Sequence, residues 1–366
     1  MRRNCLIGTT HKAKSEGSGT ALGSVKDLKT LEAPSTDSLG RGQFIFSDRY
    51  SVFDWGEMPD HIPNKGSSLC VISAYFFEKL GEKYGTHYLG LVEQGKVKRL
   101  DELKTASNIM EVKLARVLKP EIRNGKPDYS IFRSERSNFL IPLEIMYRNS
   151  LPKGSSVFQR LKKGTVTFQQ LGLDRYPEPG IDLEKPILDV STKLEKGDRY
   201  LDWHEAQQIA GLSDEETEHI KRVTLDVNEF ITSETSRAGL KNEDGKIELA
   251  FDLARKVMLV DAIGTPDECR FSVNELPLSK EVARIFYRRT SWHKAVQEAK
   301  EQAKRTGIED WKKLVRETPP SLDNEMKAAM SNLYMTCANA LTKRKWFDAP
   351  KLGEIVQQLQ NLQSRL

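Results

Sequence analysis

Two carboxylates and a lysine stand out in KIELAFDLARKVMLVDAIGTPDECRF, the segment from Lys246 to Phe271. Alternating polar and apolar residues predict a strand with Lys246 and Glu248 on one face. A turn confined to LARK, or to its central pair, would bring Asp261 to that face, opposite or diagonal to Glu248. Paired carboxylates need a cation, and Mg²⁺ on nucleotide phosphates typically takes one or two of them. The alternative, commoner for this pattern alone, is the exposed face of an amphipathic hairpin.

Two other segments could bind anions. GTPDECR contains a tight turn followed by Arg270, so backbone N–H groups and a guanidinium could meet a negative group. LEIMYRNSLPKGSS places Arg148 at the end of an apolar strand, before a Pro/Gly turn that contains Ser155. A guanidinium fork with exposed amides and hydroxyls suits a phosphate monoester. Plain surface turns remain the alternative for both segments.

Two further segments carry weaker signals. ALGSVKDLKT offers Lys26 in a strand-turn setting that could cover phosphates, although it is not a Walker loop. STKLEKGD places Lys193 and Asp198 close together in the chain. A surface turn and a solvated run of charge are the usual meanings of such patterns.

Composition excludes several classes of protein. The 366 residues are 38% hydrophobic, enough for a core, and the longest apolar run, LCVISAYFF, is far shorter than the roughly 20 residues of a membrane helix. The start of the chain has no apolar stretch typical of a secretory signal. The four cysteines, Cys5, Cys70, Cys269 and Cys337, are scattered, which predicts reduced thiols in a soluble cytoplasmic protein. A net charge of +5 is too small to indicate a nucleic-acid binder.

Local patterns predict a mixture of strands and helices. QFIFSD, IMEVKLARVL and FLIPLEIMY are expected strands, and KPEIRNGKPDYSIFRSERSN is an expected inserted hairpin or loop. SSLCVISAYFFEKLGEKYG predicts a helix that is capped by Ser67 or Ser68 and ends at Gly85. A second helix is expected from a cap at Ser213, with Glu216 three residues later, to Gly239. Beyond Phe271 the pattern is mainly helical.

Seven segments, taken in order, resemble the motifs of the phosphoribosylaminoimidazole-succinocarboxamide synthase (SAICAR synthetase) family of purine biosynthesis. They are GSVKDL, SDRYSVFDWGEMPDHIPNKG, EVKLARVL, IPLEIMYRN with KGSS, PILDVSTKLEKGD, KIELAFD and LVDAIGTPDECRF. The resemblance implies a two-lobed α+β fold with an antiparallel N-terminal lobe like the small lobe of protein kinases. We therefore expect a flexible lead-in over 1–21, a nucleotide-binding lobe over 22–140, a catalytic lobe over 141–289 and a helical extension over 290–366.

The resemblance also implies the chemistry and the residues that perform it. The family joins L-aspartate to carboxyaminoimidazole ribonucleotide (CAIR) with cleavage of ATP, and an acyl phosphate is the expected intermediate. By motif position, Glu248 and Asp261 match its magnesium and nucleotide carboxylates, and Lys26 its nucleotide-phosphate lysine. The family's active-site lysine matches Lys246. The remaining matches are Arg148, Ser155, Arg270 and Arg284 for the ribonucleotide, and Lys193 and Asp198 for the substrate carboxylates and the incoming aspartate.

Two alternatives stay open at this point. A diverged paralogue could ligate another carboxylate and amine in the same cleft. A nucleotide-binding protein without catalysis could act through the helical tail. The expected partners are small molecules, with neither nucleic acid nor membrane, and a homo-oligomer is left open.

Overall fold

The first layer of the molecule is an antiparallel sheet near the N-terminus. The computed structural model describes residues 19–123, 125–195, 197–308 and 310–365, so Cys5 and most of the expected lead-in lie outside the described residues. Six strands form this sheet in the order β1-β2-β3-β7-β5-β6. Their bounds are β1 Thr20–Ala21, β2 Lys26–Glu32, β3 Gly40–Phe46, β5 Tyr88–Glu93, β6 Lys96–Lys98 and β7 Ile109–Leu114.

A larger sheet follows, and its strands carry Arg148, Lys246, Glu248 and Arg270 of the predicted site. Its main path is β12-β11-β10-β13-β14-β4, and β15 and β16 extend it from β13. The bounds are β4 Gly85–Thr86, β10 Phe139–Leu151, β11 Ile181–Thr192, β12 Tyr200–Leu201, β13 Lys241–Phe251, β14 Val257–Val260, β15 Cys269–Val273 and β16 Leu276–Pro277. A small hairpin within the expected stretch is confirmed, formed by β8 Glu121–Arg123 and β9 Lys126–Asp128.

Helices cover the two sheets. They are α1 Lys65–Leu80, α2 Ser130–Ser134, α3 Ser156–Lys162, α4 Trp203–Ala210, α5 Asp214–Arg237, α6 Glu281–Arg288, α7 Ser291–Thr306, α8 Asn324–Thr342 and α9 Leu352–Arg365. Helix α1 packs on β3, β5 and β7 and on α8, while α5 packs on β10 and β13. The predicted capping box of Ser213 and Glu216 is confirmed at the start of α5. No helix among the described residues is long and apolar enough to cross a membrane.

The two sheets meet at His87. Short strand β4 pairs in parallel with β14 of the larger sheet, and β5 of the first sheet begins directly after His87. The His87 backbone N–H donates to Leu259 O, and its carbonyl accepts from the Lys113 N–H. Its ring lies between Phe44 and Phe77, and burial lowers its pKa to about 3. This junction links both sheets directly beside Asp261.

The α+β class expected from the sequence is confirmed, and both predicted boundaries of one helix are wrong. Helix α1 begins at Lys65 after Asn64, not at Ser67 or Ser68, and it ends at Leu80 before Gly81 rather than at Gly85. Residue Asn64 adopts the left-handed conformation, which asparagine tolerates better than most residues. The Asp48 carboxylate accepts hydrogen bonds from the backbone N–H groups of Asn64 and Gly66. The helix is therefore capped by a residue from a distant loop, which the local sequence cannot indicate.

Candidate active site

Strands β10 and β13 place the predicted site residues on one shared face. Side chains at alternate positions of paired strands project to the same side of a sheet. The paired positions on this face, which we call the ladder, are Arg148 with Asp244, Met146 with Lys246, Glu144 with Glu248, and Leu140 with Ala250. The ladder therefore changes from an arginine end through a lysine centre to an apolar end.

The centre of the ladder is a dense group of opposite charges. Lys246 Nζ lies 3.2 Å from Glu144 Oε1, 3.1 Å from Glu248 Oε1 and 3.3 Å from Glu268 Oε2. Lys193, directly after β11, contacts Glu248 Oε2 at 2.6 Å. The predicted residues Lys246 and Glu248, both on β13, are thus brought together with Lys193, which follows β11.

Asp261 joins this group from beyond the end of β14. Its carboxylate lies 2.5 Å from Lys26 Nζ, which comes from the first sheet. Asp261 adopts the left-handed conformation, with φ 71°. We define the lysine cluster as Lys26, Asp261, Lys193, Lys246, Glu144, Glu248 and Glu268. This cluster spans both sheets.

The predicted register of the hairpin is wrong, although its carboxylates do converge. Phe251 pairs with Val257, so the turn covers residues 252–256 and includes Asp252 as well as LARK. Glu248 consequently faces Val260 rather than Asp261. Asp261 reaches the cluster because its left-handed backbone turns the chain at the end of the strand.

Burial rules out the exposed-hairpin alternative. Glu248 is 2% exposed and Asp261 is 7% exposed, while Lys246 keeps a quarter of its side chain accessible. Burial, together with the neighbouring charge of Asp261, raises the pKa of Glu248. Burial also tends to raise the pKa of Asp261, but the positive charges of Lys26, Lys193 and Lys246 outweigh burial and lower this pKa. Burial disfavours the Lys246 ammonium, yet the surrounding carboxylates raise its pKa well above the ordinary value.

The arginine end of the ladder is a separate charged group. Arg148 donates to Asp189 Oδ2 from Nε at 3.2 Å and from Nη2 at 3.0 Å, and its Nη1 lies 3.3 Å from Asp244 Oδ2. Arg270, from β15, forms a bidentate salt bridge with the same Asp244. Its Nε lies 2.8 Å from Oδ1, and its Nη2 donates to Oδ2. Arg160, from α3, pairs with Asp189. We call Arg148, Arg160, Arg270, Asp189 and Asp244 the arginine cluster.

Hydroxyl groups border the arginine cluster. The Ser156 hydroxyl lies 3.2 Å from Arg148 Nη2 and 2.7 Å from the Tyr200 hydroxyl. Ser155 is buried and caps α3, accepting a hydrogen bond from the Val157 N–H. The structure thus places the predicted Ser155 next to the arginine cluster, with Ser156 making the direct contact.

A cleft of about 1630 Å³ opens beside this cluster. Arg160, Asp189 and Tyr200 line it, so the cleft reaches the arginine end of the ladder. The predicted residue Asp198 is exposed and also lines the cleft, on the segment that follows Lys193.

The predicted residue Arg284 stands at the edge of the site. It is partly exposed and donates to Glu281 at 3.1 Å. Glu281 also pairs with Arg288, and its charge contributes to the raised pKa of Arg270. Arg284 is therefore linked to the arginine cluster through an intervening carboxylate.

The other end of the ladder is apolar. Leu140, Ala250, Met258 and Val260 form a small cluster apart from the main core. Partly buried side chains pack against it, namely Leu39, Ala115, Val117 and Leu194. The four residues are at most 5% exposed, and apolar side chains with a few charged groups beside them are typical of small-molecule sites.

The donor set fits a magnesium ion that arrives with a nucleotide. Within the described residues no group of three or more His, Cys, Asp or Glu side chains forms a metal cage. Mg²⁺ on nucleotide phosphates needs only one or two protein carboxylates. Glu248 and Asp261 supply that number, and their mutual repulsion, visible in the raised pKa of Glu248, would be relieved by a cation.

Several site residues were not identified from the sequence. They are Glu144, Asp189, Asp244, Glu268, Arg160 and Tyr200. A signal existed for two of them, because Glu144 interrupts the apolar run FLIPLEIMY and Asp189 interrupts PILDVST. A charge within an otherwise buried strand requires a partner, and that requirement marks a candidate site.

Comparisons with known proteins agree with the resemblance found in the sequence. The family model described as SAICAR synthetase matches residues 23–305. A phosphoribosylaminoimidazole-succinocarboxamide synthase of Thermoplasma acidophilum is 32% identical, over 83% of this chain and 93% of its own. An Archaeoglobus fulgidus protein provisionally given the same name is 54% identical, over 93% of this chain and 99% of its own.

Solved structures share the fold. The SAICAR synthase of Saccharomyces cerevisiae, solved with SAICAR, superposes with a TM-score of 0.60 at 20% identity, covering 93% of this chain and 99% of that one. A type-2 SAICAR synthetase solved with ADP gives a TM-score of 0.52 at 23% identity, covering 73% of this chain and 90% of that one.

Proposed function

The chain belongs to the SAICAR synthetase family of purine-biosynthesis ligases, and we propose that it joins L-aspartate to CAIR with cleavage of ATP to ADP and phosphate. The observation that carries this proposal is the ladder on β10 and β13. It offers, in one line, a site for a phosphate monoester, a charged reaction centre and an apolar surface for a base.

The spacing along the ladder supports this order of substrates. Asp244 and Glu248 are four positions apart on β13, which corresponds to about 13 Å at the usual rise of a strand. A ribonucleotide with its phosphate at Arg148 and Arg270 would extend its base toward Lys246 and Glu248. Guanidinium forks suit a phosphate because they donate paired hydrogen bonds.

ATP would occupy the opposite end. Its adenine would lie on the apolar cluster around Ala250 and Val260, and its phosphates would meet Lys26 and Lys246. Glu248 and Asp261 would hold Mg²⁺, which when bound neutralises phosphate charge and aligns the terminal phosphate. The related type-2 synthetase solved with ADP supports a nucleotide as substrate.

The chemistry we propose has two balanced steps. A carboxylate oxygen of CAIR attacks the terminal phosphorus of ATP, and the bond from that phosphorus to ADP breaks, giving an acyl phosphate. The aspartate amine then attacks the acyl carbon, phosphate leaves with the bonding electrons, and the nitrogen loses a proton. Lys246 and Lys193 would stabilise the negative charge that develops on transferred and departing oxygens.

The remaining predicted residues would bind aspartate and the ribonucleotide. Asp198 lines the cleft, follows Lys193 by five positions in the chain, and is proposed to contact the aspartate amine. Ser155 and Arg284 are proposed to support the ribonucleotide phosphate, Ser155 through the start of α3 and Arg284 through its neighbour Glu281.

The test is substrate-dependent release of ADP by the purified full chain. We expect steady ADP formation only when ATP, Mg²⁺, CAIR and L-aspartate are all present, with SAICAR formed in equal amount. ADP release with another amine in place of aspartate would instead identify a diverged ligase. Nucleotide binding without any ADP release would contradict catalysis altogether.

A further inference from the structure

A buried ion pair lies beside the turn that leads into β15. Lys65, the first residue of α1, is fully buried, and its Nζ is 2.7 Å from Asp267 Oδ2. The Tyr334 hydroxyl, from α8, donates to Asp267 Oδ1 at 2.7 Å. The Lys65 ammonium also lies 5.4 Å from the centre of the Tyr334 ring. Asp267 is therefore held on both carboxylate oxygens by two different helices.

Asp267 belongs to a turn that touches both charged clusters. In this turn, residues 264–268, the N–H groups of Glu268 and Cys269 donate to the Thr265 carbonyl. The Glu268 carbonyl accepts from the Lys246 N–H, and its carboxylate lies 3.3 Å from Lys246 Nζ. Arg270 follows directly and holds Asp244. Movement of Asp267 would consequently be transmitted to the reaction centre and to the arginine cluster.

The turn is closely packed against α1. Gly264 adopts φ +69°, and a Cβ there would come within 2.2 Å of the Phe76 ring of α1. Burial opposes the charge of Asp267, but Lys65 and Lys280 outweigh it and lower its pKa to about 2. Asp267 is thus a carboxylate at neutral pH, and its orientation depends on its two hydrogen-bonding partners.

Tyr334 reaches this turn from a region that the family model does not match. That match ends at residue 305, whereas α8 begins at Asn324. The helix is fixed to the start of α1, because the Ser331 hydroxyl donates to the Pro63 carbonyl at 2.7 Å and Asn64 Nδ2 lies 3.4 Å from Met335 Sδ. The C-terminal extension and the first turn of α1 therefore form one support behind Asp267.

We propose that Tyr334 is a positioning residue that holds the turn 264–268 through Asp267, and so sets the placement of Glu268 and Arg270 for the substrates. Lys65 supplies the charge that keeps Asp267 ionised, while the tyrosine hydroxyl selects the orientation of the carboxylate. Buried polar groups whose partners are in place specify a single conformation, and here both carboxylate oxygens of Asp267 have a partner. The functional part of this inference rests on the proposed ligase activity.

The test compares Tyr334→Phe with Thr336→Val in the full chain. Each substitution removes one hydroxyl from α8, but Thr336 donates to the Pro350 carbonyl and has no contact with the turn among the contacts described. For Tyr334→Phe we expect the KM for CAIR to rise about five- to tenfold, with the KM for ATP changed less than about twofold. Hydrogen exchange measured by mass spectrometry should be faster at the Glu268 and Cys269 amides. Thr336→Val should change neither quantity.

Two results would overturn the proposal. The first is that Tyr334→Phe leaves either hydrogen exchange in the turn or the KM for CAIR unchanged. The other is the same change in both variants, which would indicate general loosening of α8. If the unmodified chain has no CAIR-dependent turnover, the proposed function fails, and the exchange comparison alone decides whether Tyr334 holds the turn.

Discussion

The two ends of the charged ladder differ in the kind of cation they use and in their balance of charge. In the arginine cluster three guanidinium groups face two carboxylates, which leaves one positive charge in excess. In the lysine cluster three ammonium groups face four carboxylates, which leaves one negative charge in excess. Both clusters are built on β10 and β13, so neighbouring parts of one surface have opposite preferences.

This difference suits two different substrates. A surplus of rigid guanidinium forks favours a phosphate monoester, which needs fixed, paired donors. A surplus of carboxylates among flexible lysines favours a polyphosphate that brings its own Mg²⁺. Lysine is also a point charge that can follow a moving phosphoryl group. We therefore infer that the arginine end binds the phosphate monoester, and that phosphoryl transfer takes place at the lysine end.

The largest expected effect comes from removing the surplus negative charge. Asp261→Asn should lower kcat by about 10²- to 10³-fold, because charge stabilisation of the transferred phosphoryl group depends on a well-placed cation. Asparagine tolerates the left-handed backbone of residue 261, so the fold should be kept. Steady-state ADP release at a series of Mg²⁺ concentrations measures the effect.

Asp252→Asn is the matched control for this charge change, because Asp252 lies at the opposite end of the same hairpin and accepts from turn amides. Its kcat should match that of the unmodified chain. Full activity in Asp261→Asn would refute the assignment of Asp261 to magnesium.

A smaller effect is expected from changing the kind of cation at the arginine end. Arg148→Lys keeps the charge but loses the fork that contacts Asp189 and Asp244. We expect the KM for CAIR to rise about 10- to 100-fold while the KM for ATP stays within about twofold, since charge-assisted hydrogen bonds contribute about 1.5–3 kcal/mol. Initial rates with each substrate varied in turn separate the two constants.

Arg255→Lys removes a comparable two-pronged contact, made to Glu216 away from the ladder, and serves as the control. It should leave both KM values unchanged. An equal rise in the two KM values for Arg148→Lys would mean that the ends of the ladder do not bind separate substrates.

The smallest effect concerns the junction behind the lysine cluster. Burial lowers the pKa of His87 to about 3 from an ordinary value of 6.5. A depressed folded-state pKa contributes stability above pH 6.5, and this stability is lost as the pH falls toward 3. The stability advantage of the unmodified chain over His87→Asn should therefore shrink by about 2–3 kcal/mol between pH 7.5 and 4.5. Urea unfolding at each pH measures it.

His219→Asn, at an exposed position of α5, is the matched control substitution, and the change with pH should be larger for His87→Asn than for this control. A difference that stays constant with pH for His87→Asn would show that His87 does not couple folding to protonation. The lysine cluster would then lack the pH-sensitive support that distinguishes it from the arginine cluster.

Particular residues show how far sequence reasoning reached. Local patterns predict three features. They are the strand that carries Lys246 and Glu248, the capping box at Ser213, and the separate segment at Arg148 that suits a phosphate monoester. Asp244 and Glu268 were missed because they act as partners, and a partner is identified only when the pairing of distant strands is known. Glu144 had a local signal as a charge within an apolar strand, but its pairing with Glu248 had none. The wrong start of α1 has the same origin, since Asp48 supplies its cap from a loop.

The sequence by itself determined which side chains share a strand face, because alternation along a strand has a period of two residues. It also determined the types of charge available and the family to which their order points. Only the tertiary structure decided that Glu144 faces Glu248, that Lys26 crosses from the other sheet to Asp261, and that Tyr334 reaches Asp267. These contacts join residues far apart in the chain, and they depend on strand register, on one left-handed residue and on helix packing, none of which a local pattern contains.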